Sequence, residues 1–266
     1  MASVLFLFLA HLGVGIAGTL LLVGASAGVK FFRFNAGLAG VLLLIALACR
    51  PETPAGGVAA TVGLWALVVA TAALLVYWAT IGRALARVRP LLLWATTVGG
   101  IAALVAQGIA ASAVEMGPLA ALTIASFLSS AALLGGACTA MILGHWYLVL
   151  PSMDVSLLQS MVKFHIGSTA LRIGVVVAVL WVALRTWETP SGAGYDQYIW
   201  SLDGVFLWQR LLFGLLGPAV LAYLTWETAK IRSTQSATGI LYVDFFTVIV
   251  GEVLAKYLLL STRVPL

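Results

Sequence analysis

His11, Arg210 and Glu252 each fall inside a long apolar run, where an ionisable side chain has no water to solvate it. Near the bilayer centre such a group costs about 2.5 to 3.5 kcal/mol on insertion scales, so each position marks a structural ion pair or a working site. Arg210 keeps its proton at any ordinary pH and needs a carboxylate or several carbonyls beside it. Glu252 is the carboxylate at matching depth: at about 1.5 Å per residue, His11, Arg210 and Glu252 all lie roughly 9 to 12 Å below the outer boundary. Lys256 follows Glu252 at i+4, on the same helix face. The bland reading is an ion pair locking the seventh and eighth helices, with Lys256 snorkelling outward. The functional reading adds His11, because an imidazole titrates near neutrality. Together the three can accept or release two protons and hydrogen-bond a quinone carbonyl, with Trp208 and Tyr257 flanking the ring.

A second polar layer lies nearer the inner side and holds His145, His165, Arg172, Gln235, Thr238 and Asp244. A b-type haem needs two imidazoles facing each other across a bundle, which makes His145 and His165 its candidate ligands. The alternative is a pair of interfacial histidines at the ends of adjacent helices. For Asp244 and Arg172 the expectation is a buried pair between helices eight and six. A proton or ion path through both layers would need water access to each. Cys49 and Cys138 sit in apolar runs with no CxxC, CxxCH or Cys/His cluster, so no disulfide scaffold, metal site or covalently attached haem is expected. GxSxG, HExxH, Walker A and Asp-rich prenyl-transfer motifs are also missing, which argues against a hydrolase or nucleotide enzyme acting alone.

The elements that must position these groups follow from composition. With 62% apolar and 9% charged residues and a mean hydropathy of +1.11, the 266-residue chain lies far from a soluble domain, where about a quarter of residues are charged. It reads as an all-α integral membrane protein, one polytopic domain over 1–266 with lipid as its solvent. Eight segments are apolar over roughly the length a span requires: 3–26, 35–49, 57–80, 91–113, 119–149, 166–186, 204–227 and 238–260. No Lys or Arg precedes the first, so it reads as a retained span rather than a cleaved signal peptide.

The formal charge of +5 is better read as loop orientation than as nucleic-acid binding, and no nucleic-acid partner is expected. Connections one, three, five and seven carry Lys30 and Arg33; Arg83, Arg87 and Arg89; Lys163; and Lys230 with Arg232. Connections two, four and six carry Arg50 with Glu52; Glu115; and Arg185 with Glu188, Asp196 and Asp203. Basic loops stay inside, which places both termini outside, in the inner (cytoplasmic) membrane of a cell. In the sixth connection, Trp187, Tyr195, Tyr198 and Trp200 suit an interfacial aromatic belt, with a partner-docking surface as the alternative. Small residues mark close helix approaches at Gly13, Gly15, Gly18, Gly24 and Gly28, at Gly99 and Gly100, and at Gly135 and Gly136. Helices one and five share a small-residue run ahead of a basic exit, which suggests two four-helix halves.

Three stretches resemble the eight-helix membrane anchor of dimethyl sulfoxide reductase, in the NrfD and polysulfide-reductase membrane-subunit group. They are Gly15, Ala17 and Gly18 in helix one, Trp208-Gln209-Arg210-Leu211-Leu212 opening helix seven, and Gly251-Glu252-Val253-Leu254-Ala255-Lys256 in the last helix. The resemblance implies two four-helix bundles, a quinol oxidised near the outer face, and electrons passing to an iron–sulfur or cytochrome subunit docked there. The chain departs from that group where it reads ALACRPETPAGG after helix two, without the histidine usual there, and where Lys256 replaces an arginine. The resulting expectation is a haem-free quinone-binding anchor subunit of a respiratory complex. A small secondary transporter or ion-conducting protein is the alternative, and a b-type cytochrome the third.

Overall fold

The computed structural model describes residues 2–51, 57–83, 86–112, 120–150, 153–187 and 194–266, and contains no strand among them. Ten helices are present among these residues: α1 Ala2–Thr19, α2 Gly28–Ala48, α3 Gly57–Thr80, α4 Arg89–Ser112, α5 Ala120–Val149, α6 Ser156–Thr186, α7 Tyr195–Ile199, α8 Val205–Leu211, α9 Gly217–Lys230 and α10 Thr234–Thr262. A π-helical turn, Leu212–Leu216, joins α8 to α9 so that they run as one element. Among the described residues, seven helices are long and apolar enough to cross a membrane: α1 to α6 and the α8–α9 unit. By these spans the chain is a multi-pass membrane protein. Helix is the form the chain must take there, because hydrocarbon offers no partner to a free backbone N–H or C=O. The glutamates Glu52, Glu115 and Glu188, which contribute to the acidic side of the loop pattern, lie outside the described residues.

Helix boundaries differ from the apolar runs where a run stops at a charge and the helix does not. The first span ends earlier, at Thr19 rather than 26, where the backbone leaves the helix for a 3-10 turn over Ala25–Ala27. Lys30 and Arg33 lie in the first turns of α2, which starts at Gly28 rather than 35, and Lys163 lies within α6, which starts at Ser156 rather than 166. Long basic side chains let this happen, since their stems lie along apolar surface while the charge reaches the interface.

Contacts divide the helices into two rings of four. Helices α1, α2, α3 and α4 pack in order with α4 closing on α1; α5, α6, α8–α9 and α10 do the same with α10 closing on α5. The rings meet along α1 and α5, the most enclosed helices, with 72% and 83% of their apolar windows buried against 28% for α3. Gly15 and Gly135 make that seam: a Cβ on either would run into the other helix's backbone. One turn to either side, His11 faces Ser130 and Thr19 faces Thr139 at 2.6 Å, so α1 and α5 run parallel. Small residues bring membrane helices this close because packing, not water exclusion, holds them together.

The described residues between α6 and α8 pack against the end of α10. Trp187 donates from Nε1 to the Thr262 carbonyl at 2.7 Å, and its ring meets Tyr195, which stacks on Tyr198. Tyr195 is fully buried, so it serves packing and not the lipid interface; Trp200, at 80% exposed, suits a belt position. Burial pushes the Tyr195 phenol up from its ordinary value.

Candidate functional site

A single carboxylate organises the second ring. Glu252 of α10 accepts from Arg172 Nε at 2.9 Å and Arg210 Nη2 at 2.8 Å on Oε1. On Oε2 it accepts from Arg172 Nη2 at 3.1 Å, Lys256 Nζ at 3.3 Å and Ser130 Oγ at 2.5 Å. All these side chains are buried at 5% exposure or less, as is His11. The expected convergence of His11, Arg210, Glu252 and Lys256 is present, drawn from α1, α8 and α10 around α5.

Arg172 corrects the expectation. The sequence pattern predicts an inner-layer pair with Asp244, whereas Arg172 lies on Glu252. Because α6 begins at Ser156, Arg172 sits mid-helix and reaches the level of Glu252. Its remaining N–H groups go to the Ser126 carbonyl and hydroxyl at 3.0 and 2.7 Å, Ser129 Oγ at 3.3 Å and the Leu266 carbonyl at 2.9 Å. The hydroxyls Ser126, Ser129 and Ser130, at i, i+3 and i+4 on α5, were not singled out from the sequence. Their common face was the signal.

Hydrogen-bond bookkeeping assigns the imidazole. Ser130 gives its one proton to Glu252 and accepts from Lys256 Nζ at 2.7 Å, so His11 Nδ1, 3.1 Å away, must be the protonated nitrogen. His11 Nε2 is then a buried lone-pair acceptor without a partner among the described residues, and the Arg210 donors Nε and Nη1 are likewise buried and unpartnered there. Counting side chains alone, three cationic groups face one anionic one with Lys256 protonated, and Arg172 also bonds the Leu266 oxygen. Arg172 is saturated, whereas Arg210 keeps open donors.

Two local features position Arg210. Gly214 and Gly251 let the π turn and α10 touch, and a Cβ at Gly214 would collide with Arg210 Nη1. The π turn itself follows from Pro218, which has no N–H to offer the carbonyl four residues back and whose ring crowds it; Gly217 N–H bonds Leu212 O instead, a five-residue span.

Other expected site residues lie elsewhere. Trp208 is 40% exposed, bonds the Ile199 carbonyl at 3.2 Å and packs on Trp200. Tyr257, also 40% exposed, meets Phe206. Neither reaches the cluster, because Trp208 is about 200° around its helix from Arg210, and Tyr257 about 140° from Glu252. His165 Nε2 and Asp244 Oδ2 lie 2.7 Å apart in a separate buried pair, without hydrogen-bond geometry. His145 is exposed and 2.9 Å from the Tyr242 hydroxyl. The two histidines thus have different partners and do not share one enclosed site. No group of three or more metal-binding side chains occurs among the described residues.

Neither a protein-family model nor a curated protein matches the chain.

Proposed function

We propose that the chain is a quinone-binding membrane subunit of a redox complex, with the Glu252 cluster as its quinone site. The observation that carries this reading is the combination of open donors on Arg210 and an open acceptor on His11 in one buried network of excess positive charge. A quinol presents a hydroxyl that needs an acceptor, and its oxidised or partly deprotonated oxygen needs donors and positive charge. Oxidation releases two protons and two electrons. His11 Nε2 accepts one proton and the Glu252 carboxylate the other, Arg210 holds the oxygen left behind, and the two electrons leave to an iron–sulfur or cytochrome partner on the outer face. Lys256 and Arg172 hold Glu252 in place as the hinge of the network.

The topology belongs to the same proposal. Gly214 against Gly251 and Gly217 against Thr247 set α10 antiparallel to α8–α9, while His165 against Asp244 and Arg172 against Glu252 set it parallel to α6. At 29 residues, α10 then serves as an eighth span, with both termini outside, in an inner membrane. Membership of the NrfD-type group, which the sequence resemblance implies, rests on the same footing. The test is isolation of the native complex in mild detergent with identification of every bound subunit, followed by quinol-linked turnover of an Arg210→Met variant. Loss of turnover in an assembled complex supports the reading; full turnover refutes it.

A second reading is favoured by the π turn beside Arg210 and by the positive excess, which together suit an anion held at a broken helix in a transporter. Anion flux through the purified chain in liposomes, abolished by Arg210→Met, would select it.

A further inference from the structure

The inner end of α2 carries a groove far from the Glu252 cluster. Lys30, Arg33, Phe34, Gly37, Leu38 and Val41 lie on one helical face at i, i+3, i+4, i+7, i+8 and i+11, and Trp78 of α3 forms the opposite wall of a shallow, open groove of about 520 Å³. Gly37 is the floor: a Cβ there would stand 2.8 Å from Trp78 Nε1. The indole in turn carries Arg33, whose Cζ sits 5.6 Å from the ring centroid, so the guanidinium is held at the mouth of the groove. Lys30 lies one turn nearer the helix start and is exposed.

Among the described residues no carboxylate pairs with Lys30 or Arg33. Glu227 is bound to Lys230, Asp154 to the Ser156 N–H, Asp244 to His165 and Glu252 to its own cluster. The apolar wall below the two cations is as telling as the charges. From Lys30 to Val41 the helix advances about 16 Å, close to the half-thickness of about 15 Å for one leaflet's hydrocarbon. A chain lying in the stripe therefore reaches from headgroup level to the bilayer midplane. Arginine grips a phosphate with a fork of donors, and lysine adds a point charge beside it.

We propose that this groove binds one anionic phospholipid, its phosphate held by Lys30 and Arg33 and an acyl chain lying along Phe34, Leu38 and Val41 against Trp78. A free phosphate would use the charges and leave the apolar wall uncovered; a lipid uses both. The proposal stands apart from the quinone reading.

The test is native mass spectrometry of the full chain released from detergent micelles, titrated with phosphatidylglycerol or phosphatidylcholine. The wild type retains one phosphatidylglycerol in preference to phosphatidylcholine, and millimolar inorganic phosphate does not displace it. Lys30→Gln with Arg33→Gln lowers phosphatidylglycerol affinity about thirty-fold, the contribution of two basic side chains at a membrane surface. Leu38→Trp, which fills the groove and spares both charges, weakens it too and decides the matter alone if the double variant does not remain monodisperse. Arg83→Gln, exposed on the same side but outside the groove, leaves it unchanged. Equal binding of the two lipids, displacement by inorganic phosphate, or wild-type affinity in either groove variant overturns the proposal.

Discussion

Replacing Glu252 by glutamine should cost far more stability than replacing Arg210 by methionine, although the two side chains share one ion pair at 2.8 Å. The asymmetry follows from the charges. Glu252 is the anion facing Arg172, Arg210 and Lys256, all of them buried. Glutamine keeps the shape, removes the charge, and turns an NH2 group toward donors that need an acceptor. Breaking a buried pair so that charge is left uncompensated costs about 3 to 5 kcal/mol, and here three cations are left. Removing Arg210 leaves Glu252 with Arg172, Lys256 and Ser130, and takes one positive charge out of the network. The lost charged hydrogen bond, about 1.5 to 3 kcal/mol, is offset by relief of repulsion from Arg172 and Lys256, for a net of about 1 kcal/mol. Reversible unfolding in mixed micelles, followed by tryptophan fluorescence, reads both values. If Arg210→Met costs as much as Glu252→Gln, the cluster is not held by its single carboxylate.

Gly15→Ala and Gly135→Ala should each cost about 1 to 3 kcal/mol in the same assay, because neither has room for a Cβ, while Gly174→Ala, with nothing within 4 Å, should be neutral or better. Gly214→Ala should reduce quinol-linked turnover of the assembled complex by pushing the Arg210 guanidinium aside, whereas Gly239→Ala, which opens onto free space, should leave it unchanged. For the buried pair at 2.7 Å, His165→Leu and Asp244→Leu should each destabilise more than the double replacement does, since one variant strands a polar group and the other removes both; additive losses in a double-mutant cycle would contradict the pairing.

The charged layer is legible because charge in an apolar run has few explanations, and that reasoning singles out His11, Arg210, Glu252 and Lys256 without knowledge of helix contacts. Apolar onset at 166 puts Arg172 too near the inner end, because α6 begins at Ser156 and carries Lys163 inside it. The serines of α5 were silent, since a serine in a membrane helix reads as a packing residue until a charge is found beside it. Trp208 and Tyr257 were drawn toward the site by nearness in sequence, when the helical rotation between them and the charged residues turns them to the outside. The division into two rings was hinted at by small-residue runs in helices one and five. Why the rings join along these two helices lies in the Gly15–Gly135 contact, which no single-chain pattern pairs.

The most direct test of the proposed quinone site is photoaffinity labelling of the protein in its native membranes with an azidoquinone, the crosslinked peptides then being mapped by mass spectrometry. Labelling on the α1, α8 and α10 segments around His11, Arg210 and Glu252, competed away by unmodified quinone and lost in Arg210→Met, is the predicted result. Labelling confined to other segments, or unchanged by competitor, would contradict it.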